Sequence, residues 1–260
     1  MPLTTATMPP TDVDRINELD WYHTIDVAPG VRTPGWFDLR HALPLIPFPD
    51  LTDKRCLDVG TWDGFYAYEM ERRGAAEVVA LDVPDLSGID YPPAVRAQPG
   101  FDPRQSGQQE RPAGFRLLHE LLGSKVRWVA GNIYDLDPSE VGRFDVVVVG
   151  SLLVHLRDPV RALDAVRSVT DGWFISADYV HPPLELLGRS RPWFELRGET
   201  ADFQWWLANS AGLRQLLDVA GFSITQESKR FLLRYGPAVG ARGTEGDLRA
   251  RSRRVRHRLL

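Results

Sequence analysis

Cysteine is nearly absent. The single Cys56 in 260 residues leaves no disulfide framework and no cysteine-rich zinc site. Long apolar runs are missing too: the longest, Val146 to Val154, is about half of what a membrane-spanning helix needs. Met1 to Thr11 has no basic region followed by an apolar stretch, so no secretory signal is expected. Lysine is scarce, three against twenty-eight arginines. These absences set aside the secreted disulfide-rich and transmembrane classes and point to a reduced, cytoplasmic protein. What remains is ordinary for a globular chain, 43% apolar and 25% charged, long enough to bury a core without staples.

Charge is unevenly spread. Seven arginines against Glu245 and Asp247 give residues 241–260 a balance of +5, so a net charge of −4 leaves −9 on residues 1–240. A body that acidic argues against a broad nucleic-acid-binding face. The basic tail reads as a solvated end or as a contact for an anionic partner, RNA or a phosphorylated acceptor. Leu248, Val255 and Leu259 recur at spacings of seven and four, so a helix docking on a second subunit of a homodimer is a further reading.

Texture divides the chain into an arm or cap (residues 1–50), a body (51–238) and the tail (239–260). The arm is irregular and proline-bearing, with one short helix expected around Trp36–Leu43. Arg55 to Gly60 is a short apolar run ending in glycine, the pattern of a buried strand. Gly64 to Gly74 has helical spacing, and Glu77 to Val83 is the next strand. Strand, helix and strand within about thirty residues make a βαβ unit with a parallel sheet. A Pro/Gly-rich insertion (84–113) precedes a helix at Phe115–Leu122 and a strand at Val126–Ala130. Phe144–Val149 is the most apolar strand, and Pro159 opens a helix over Val160–Val169. Trp173–Asp178 is a fifth strand, followed by an aromatic insertion (181–209). A helix at Ser210–Ala220 ends at Gly221, and strands near Phe222–Glu227 and Arg230–Tyr235 would complete the sheet edge. The expected fold is therefore α/β: a Rossmann-like, seven-stranded, mostly parallel sheet with helices on both faces, an N-terminal arm and an aromatic insertion after the fifth strand.

Ligands of open α/β sheets sit beyond the carboxyl ends of the strands. There the sequence places Gly60-Thr61-Trp62-Asp63-Gly64, then Asp82 with Val83, then Gly131-Asn132-Ile133, then Gly150-Ser151. The first loop has glycine at each end, so its backbone can turn tightly and approach a ligand. Asp82, ending the second strand, is placed to accept both hydroxyls of a ribose. A dinucleotide needs Gly-x-Gly-x-x-Gly under its pyrophosphate. Here Trp62 and the carboxylate of Asp63 stand in that place, and a carboxylate repels pyrophosphate while attracting an ammonium group. The pattern favours a nucleoside joined to an amino acid.

Leu57-Asp58-Val59-Gly60-Thr61-Trp62-Asp63-Gly64-Phe65 followed by Val79-Ala80-Leu81-Asp82 resembles the first two motifs of class I S-adenosylmethionine-dependent methyltransferases. Phe144 to Pro159 looks like that superfamily's fourth strand and following loop. The resemblance implies that the Gly60 loop holds the methionine part of S-adenosylmethionine, Asp82 the ribose and Asn132–Ile133 the adenine. The family usually carries a second glycine where Thr61-Trp62 stand, and often an aspartate in place of Asn132. A narrower likeness runs through Trp21-Tyr22-His23-Thr24-Ile25 and Gly30-Val31-Arg32-Thr33-Pro34-Gly35 to the tRNA wobble-uridine carboxymethyltransferase group. The lysine and tyrosine with which that group grips a carboxylated cofactor are His23 and Val154 here, so ordinary S-adenosylmethionine is expected.

For catalysis, His155 after the fourth strand and His23 in the arm are candidates to take an acceptor proton. Tyr22, Asp178, His181, Trp193, Trp205 and Trp206 are candidate acceptor contacts, the tryptophans by stacking on a flat or sugar-like molecule. No metal is expected. The sequence reading is thus an S-adenosylmethionine-dependent O-methyltransferase of a small molecule in secondary metabolism, a sugar or natural product. The alternatives are a tRNA wobble-uridine methyltransferase using the basic tail and a non-catalytic nucleoside-binding module.

Overall fold

The computed structural model describes residues 8–103, 111–197, 204–241 and 258–259. Five strands form the central sheet: β1 (Arg55–Val59), β2 (Glu77–Asp82), β3 (Arg127–Ala130), β4 (Phe144–Gly150) and β5 (Thr170–Ala177). Their order is β3-β2-β1-β4-β5, all parallel. Because side chains alternate along a strand, the sheet builds two cores. Cys56, Val78, Ala80, Val146 and Val148 face α1 (Phe65–Arg72), α2 (Ala113–Leu122) and the arm. Leu57, Val59, Val79, Leu81, Val147 and Val149 face α3 (Pro159–Val169) and α4 (Ser210–Val219). Val146 to Val149 are fully buried, as befits a central strand covered on both sides.

The chain reverses order after β1: β2 lies on one side and β4 on the other. That switch point opens a crevice at the carboxyl edge.

The two strands expected to extend the sheet do not join it. Residues 223–229 are mostly exposed and form no strand, while Phe222 packs its ring on Phe174 of β5, centroids 4.5 Å apart. Further on, Phe231–Leu232 pairs with Arg258–Leu259, and Arg234–Tyr235 pairs with Phe37–Asp38 of the arm. The polar stretch from Ser223 to Lys229 has too little apolar surface to be buried at a sheet edge, and the arm supplies the pairing instead. Within the arm, the expected helix at Trp36–Leu43 is the Phe37–Asp38 strand followed by a 3-10 turn at Arg40–Leu45, which contains Pro44.

After β5, strand β6 (Tyr179–Val180) continues into the 181–209 insertion, where β7 (Phe194–Leu196) and β8 (Trp206–Ala208) form an antiparallel hairpin beside it. Most of the basic tail, residues 242–257 and 260, lies outside the described residues. Among the described residues, no helix is long and apolar enough to cross a membrane, and no three His, Cys, Asp or Glu side chains gather as a metal site would require.

Candidate active site

The β1–α1 turn is built for tightness. Gly60 has φ +75°, and its N–H donates to the Leu81 carbonyl at 2.8 Å, tying the turn to β2. A Cβ at Gly60 would meet Leu152 at 2.8 Å. Thr61 is buried and donates its hydroxyl to Asp58 at 2.7 Å, and Asp58 also accepts the Ala67 N–H. Burial pushes the Asp58 carboxyl up to about 7, the Thr61 bond opposing the rise. Gly64, at φ +92°, is the N-cap of α1.

Trp62, one of the two residues where the resemblance implies a second glycine, adopts φ +50°, the left-handed region natural to glycine. The turn keeps its shape, with an indole added. Two contacts offset the strain: the Trp62 N–H donates to Asp82 at 2.7 Å, and the Arg111 guanidinium lies 3.7 Å from the centre of an indole that is 38% exposed.

Asp63 departs from the sequence reading. Its carboxylate points away from the crevice and is spent on the arm. It accepts the Tyr22 N–H at 2.9 Å and the His23 N–H at 2.8 Å, and it pairs with His23 Nδ1. His23 is buried, with its ring stacked on Phe65 at 5.0 Å. Tyr22 packs against Trp62, and burial pushes its phenol up to about 12, with Asp63 adding to the rise. An arm forty residues upstream is thereby locked to the glycine turn through the carboxylate expected to attract an ammonium group.

Asp82 ends β2 with its carboxylate at the crevice. It accepts from Trp62 N–H, from Val83 N–H at 2.8 Å and from Arg111 Nη1 at 3.0 Å. Burial raises its pKa, and Arg111 opposes the rise. On the next loop, Asn132 caps a short turn: its oxygen accepts the Tyr134 N–H at 3.1 Å, and its amide donates to the Gly88 carbonyl at 3.3 Å. Ile133 beside it is buried. After β4, Gly150 lies against Tyr66, where a Cβ would come within 2.2 Å of the ring, and Ser151 takes φ +53° with its N–H on the Ala177 carbonyl. His155 closes the following 3-10 turn, Leu153–His155, and is half-buried.

The acceptor candidates do not form one group. Asp178, at the end of β5, is buried, with Oδ1 unpartnered and Oδ2 3.3 Å from Ser176 Oγ. Burial pushes it up to about 7. His181 caps the helix Pro182–Leu187, its Nδ1 is buried without a partner, and burial lowers its pKa. Trp205 donates Nε1 to the Asp90 carbonyl at 2.6 Å and its N–H to the Val154 carbonyl at 2.8 Å, while Trp206 donates Nε1 to the Arg157 carbonyl at 3.1 Å. Both indoles thus stitch the aromatic insertion to the loop after β4 and to the 84–103 segment. Trp193 stands apart, its backbone joined to Asn209, the N-cap of α4. Nearby, a groove of about 410 Å³ along α4, lined by Arg189, Arg214, Asp218 and Phe222, includes none of the crevice residues, and its Arg214 is already paired with Glu227.

Residues 32–227 match the family described as Methyltransferase domain. This chain belongs to that family. The methyl donor that the motif resemblance implied is S-adenosylmethionine. The chain is 29% identical over 124 residues to a tRNA U34 carboxymethyltransferase of Campylobacter hominis, covering 48% of this chain and 35% of that one, so it spans about a third of that relative's length. Among solved structures, the N-terminal domain of EvdMO1 with SAH bound aligns at 17% identity and a TM-score of 0.52, over 87% of this chain and 91% of that one. The YcgJ protein of Bacillus subtilis aligns at 15% identity and 0.50, over 82% and 80%. Both likenesses speak to the fold.

The residues present fit a nucleoside cofactor. A glycine turn whose Cβ positions are already filled, a strand-end carboxylate at the crevice and a buried unpartnered carboxylate oxygen at the same edge are what such a group requires. Reading the sequence alone missed Arg111, whose role depends on a partner 29 residues away and has no spacing signature.

Proposed function

We propose that this methyltransferase moves the methyl group of S-adenosylmethionine to a hydroxyl of a small molecule, with a sugar or natural product the acceptor class. The carrying observation is the position of His23. Asp63, in the glycine turn, pairs with its Nδ1, which leaves Nε2 as the ring nitrogen able to take a proton. When bound, the cofactor supplies an electrophilic methyl group on a sulfonium. Gly60 and Gly64 let the backbone approach its amino-acid end, Asp82 would receive its ribose hydroxyls, and Asn132–Ile133 would flank its base. His23 Nε2 would take the hydroxyl proton of the acceptor, and the Asp63 carboxylate would stabilise the imidazolium so formed. His155, on the loop across the switch point, is the second candidate for that proton.

The acidic body supports a small acceptor over a polyanion. A tRNA substrate is the second reading, favoured by the name of the Campylobacter relative and by the arginine tail. Transfer of radiolabelled methyl from S-adenosylmethionine to a panel of hydroxylated sugars and aromatics tests the first reading. Labelled product from that panel supports it. Labelled tRNA instead, with a salt-dependent mobility shift lost on removing residues 241–260, supports the second. Cofactor binding without turnover on either panel leaves a binding module.

A further inference from the structure

Asp82 is crowded. A carboxylate offers about four lone-pair positions, and three are taken: Trp62 N–H at 2.7 Å, Val83 N–H at 2.8 Å and Arg111 Nη1 at 3.0 Å. A ribose diol donating both hydroxyls needs two. The backbone donors belong to the β1–α1 turn and to the strand end, and cannot leave without unfolding them. Arg111 can, because it is a side chain, set one residue before Pro112, the N-cap of α2. Its ion pair with Asp82 is largely buried, with side-chain exposures of 13% and 10%. Its Nε is buried without a hydrogen-bond partner, and among the described residues the guanidinium is held by one bond to Asp82 and by the Trp62 ring at 3.7 Å. Trp62 keeps a left-handed backbone to present that ring.

We propose that Arg111 is a competitor built into the ribose site: its ion pair with Asp82 and a ribose on Asp82 exclude each other, so nucleoside binding must displace it, which lowers the affinity for cofactor and for demethylated product alike. This rests on Asp82 being the ribose ligand. Displacement leaves Arg111 on the face of Trp62 at the mouth of the crevice and returns it to Asp82 as the product departs. A site that must accept S-adenosylmethionine and then shed S-adenosylhomocysteine, which carries the same ribose, gains turnover from a group that weakens both.

Calorimetric titration of S-adenosylhomocysteine into the wild-type chain and Arg111→Met tests the idea. Methionine keeps an apolar stem over Trp62 and removes the competing donor. The account expects the variant to bind about three- to tenfold more tightly, the scale of one charged hydrogen bond less its solvation. Equal or weaker binding overturns it. A crystal structure of the wild-type complex asks the same question without a variant. Ribose on Asp82 with Arg111 moved off the carboxylate is the expected result. Ribose on Asp82 with Arg111 unmoved overturns the competitor alone, whereas ribose elsewhere overturns the Asp82 assignment and the competitor with it.

Discussion

The two halves of the crevice are made differently. On the nucleoside side, backbone conformation does the work: Gly60, Trp62, Gly64 and Ser151 all take positive φ, and buried side chains such as Thr61 and Asp58 bond the turn from behind. On the acceptor side, a hairpin from the 181–209 insertion is held to the rest by the Trp205 and Trp206 contacts, and it carries exposed Trp193, Phe194 and Leu196. In the first half, Gly60, Trp62 and Asp58 each hold a hydrogen bond that ties the turn together. The second can be re-surfaced with little effect on the fold, which is how one fold serves many acceptors.

Substitutions can break this contrast. Gly60→Ala should cost the most, about 2–4 kcal/mol in urea unfolding, from left-handed strain added to overpacking against Leu152. A loss under about 0.5 kcal/mol would mean the turn relaxes freely. His23→Asn keeps a donor for Asp63 while removing the base. The expected outcome is a kcat lowered about 100-fold with S-adenosylhomocysteine affinity retained. An equal fall in both would make His23 a support of the arm.

Asp178 makes stability depend on pH. Burial holds its carboxyl near 7 against an ordinary 3.8, so the folded chain binds this proton more tightly than the unfolded one. Its contribution to stability is full below about pH 4 and lost as pH rises through 7. Asp178→Asn should flatten the fall in stability between pH 4 and 7, without abolishing it because Asp58 is raised in the same direction. An unaltered slope would show that Asp178 is solvated. The smallest effect is expected from Trp205→Phe, which loses one hydrogen bond to Asp90, about 1 kcal/mol. If it instead unfolds the insertion's contact with the body, the acceptor half is as tightly determined as the other.

The same contrast explains what could be read from the sequence. Buried parallel strands are near-continuous apolar runs, so β1, β2 and β4 were legible, as were the glycine turn and Asp82 at its strand end. Polar partners across long separations were not: Asp63 turned to the arm and Arg111 to Asp82, because a carboxylate carries no mark of which donor will reach it. The edge strands failed for a related reason. Phe231–Leu232 and Arg234–Tyr235 have strand character, but pairing is settled by which neighbour has a free edge, and the arm provided one.

The central claim is that Asp82 holds the cofactor's ribose. Titrating S-adenosylhomocysteine into Arg111→Met and into Arg111→Met/Asp82→Asn measures this with the competing guanidinium gone. The account predicts binding at least about tenfold weaker in the double variant; equal affinity in the two would contradict it.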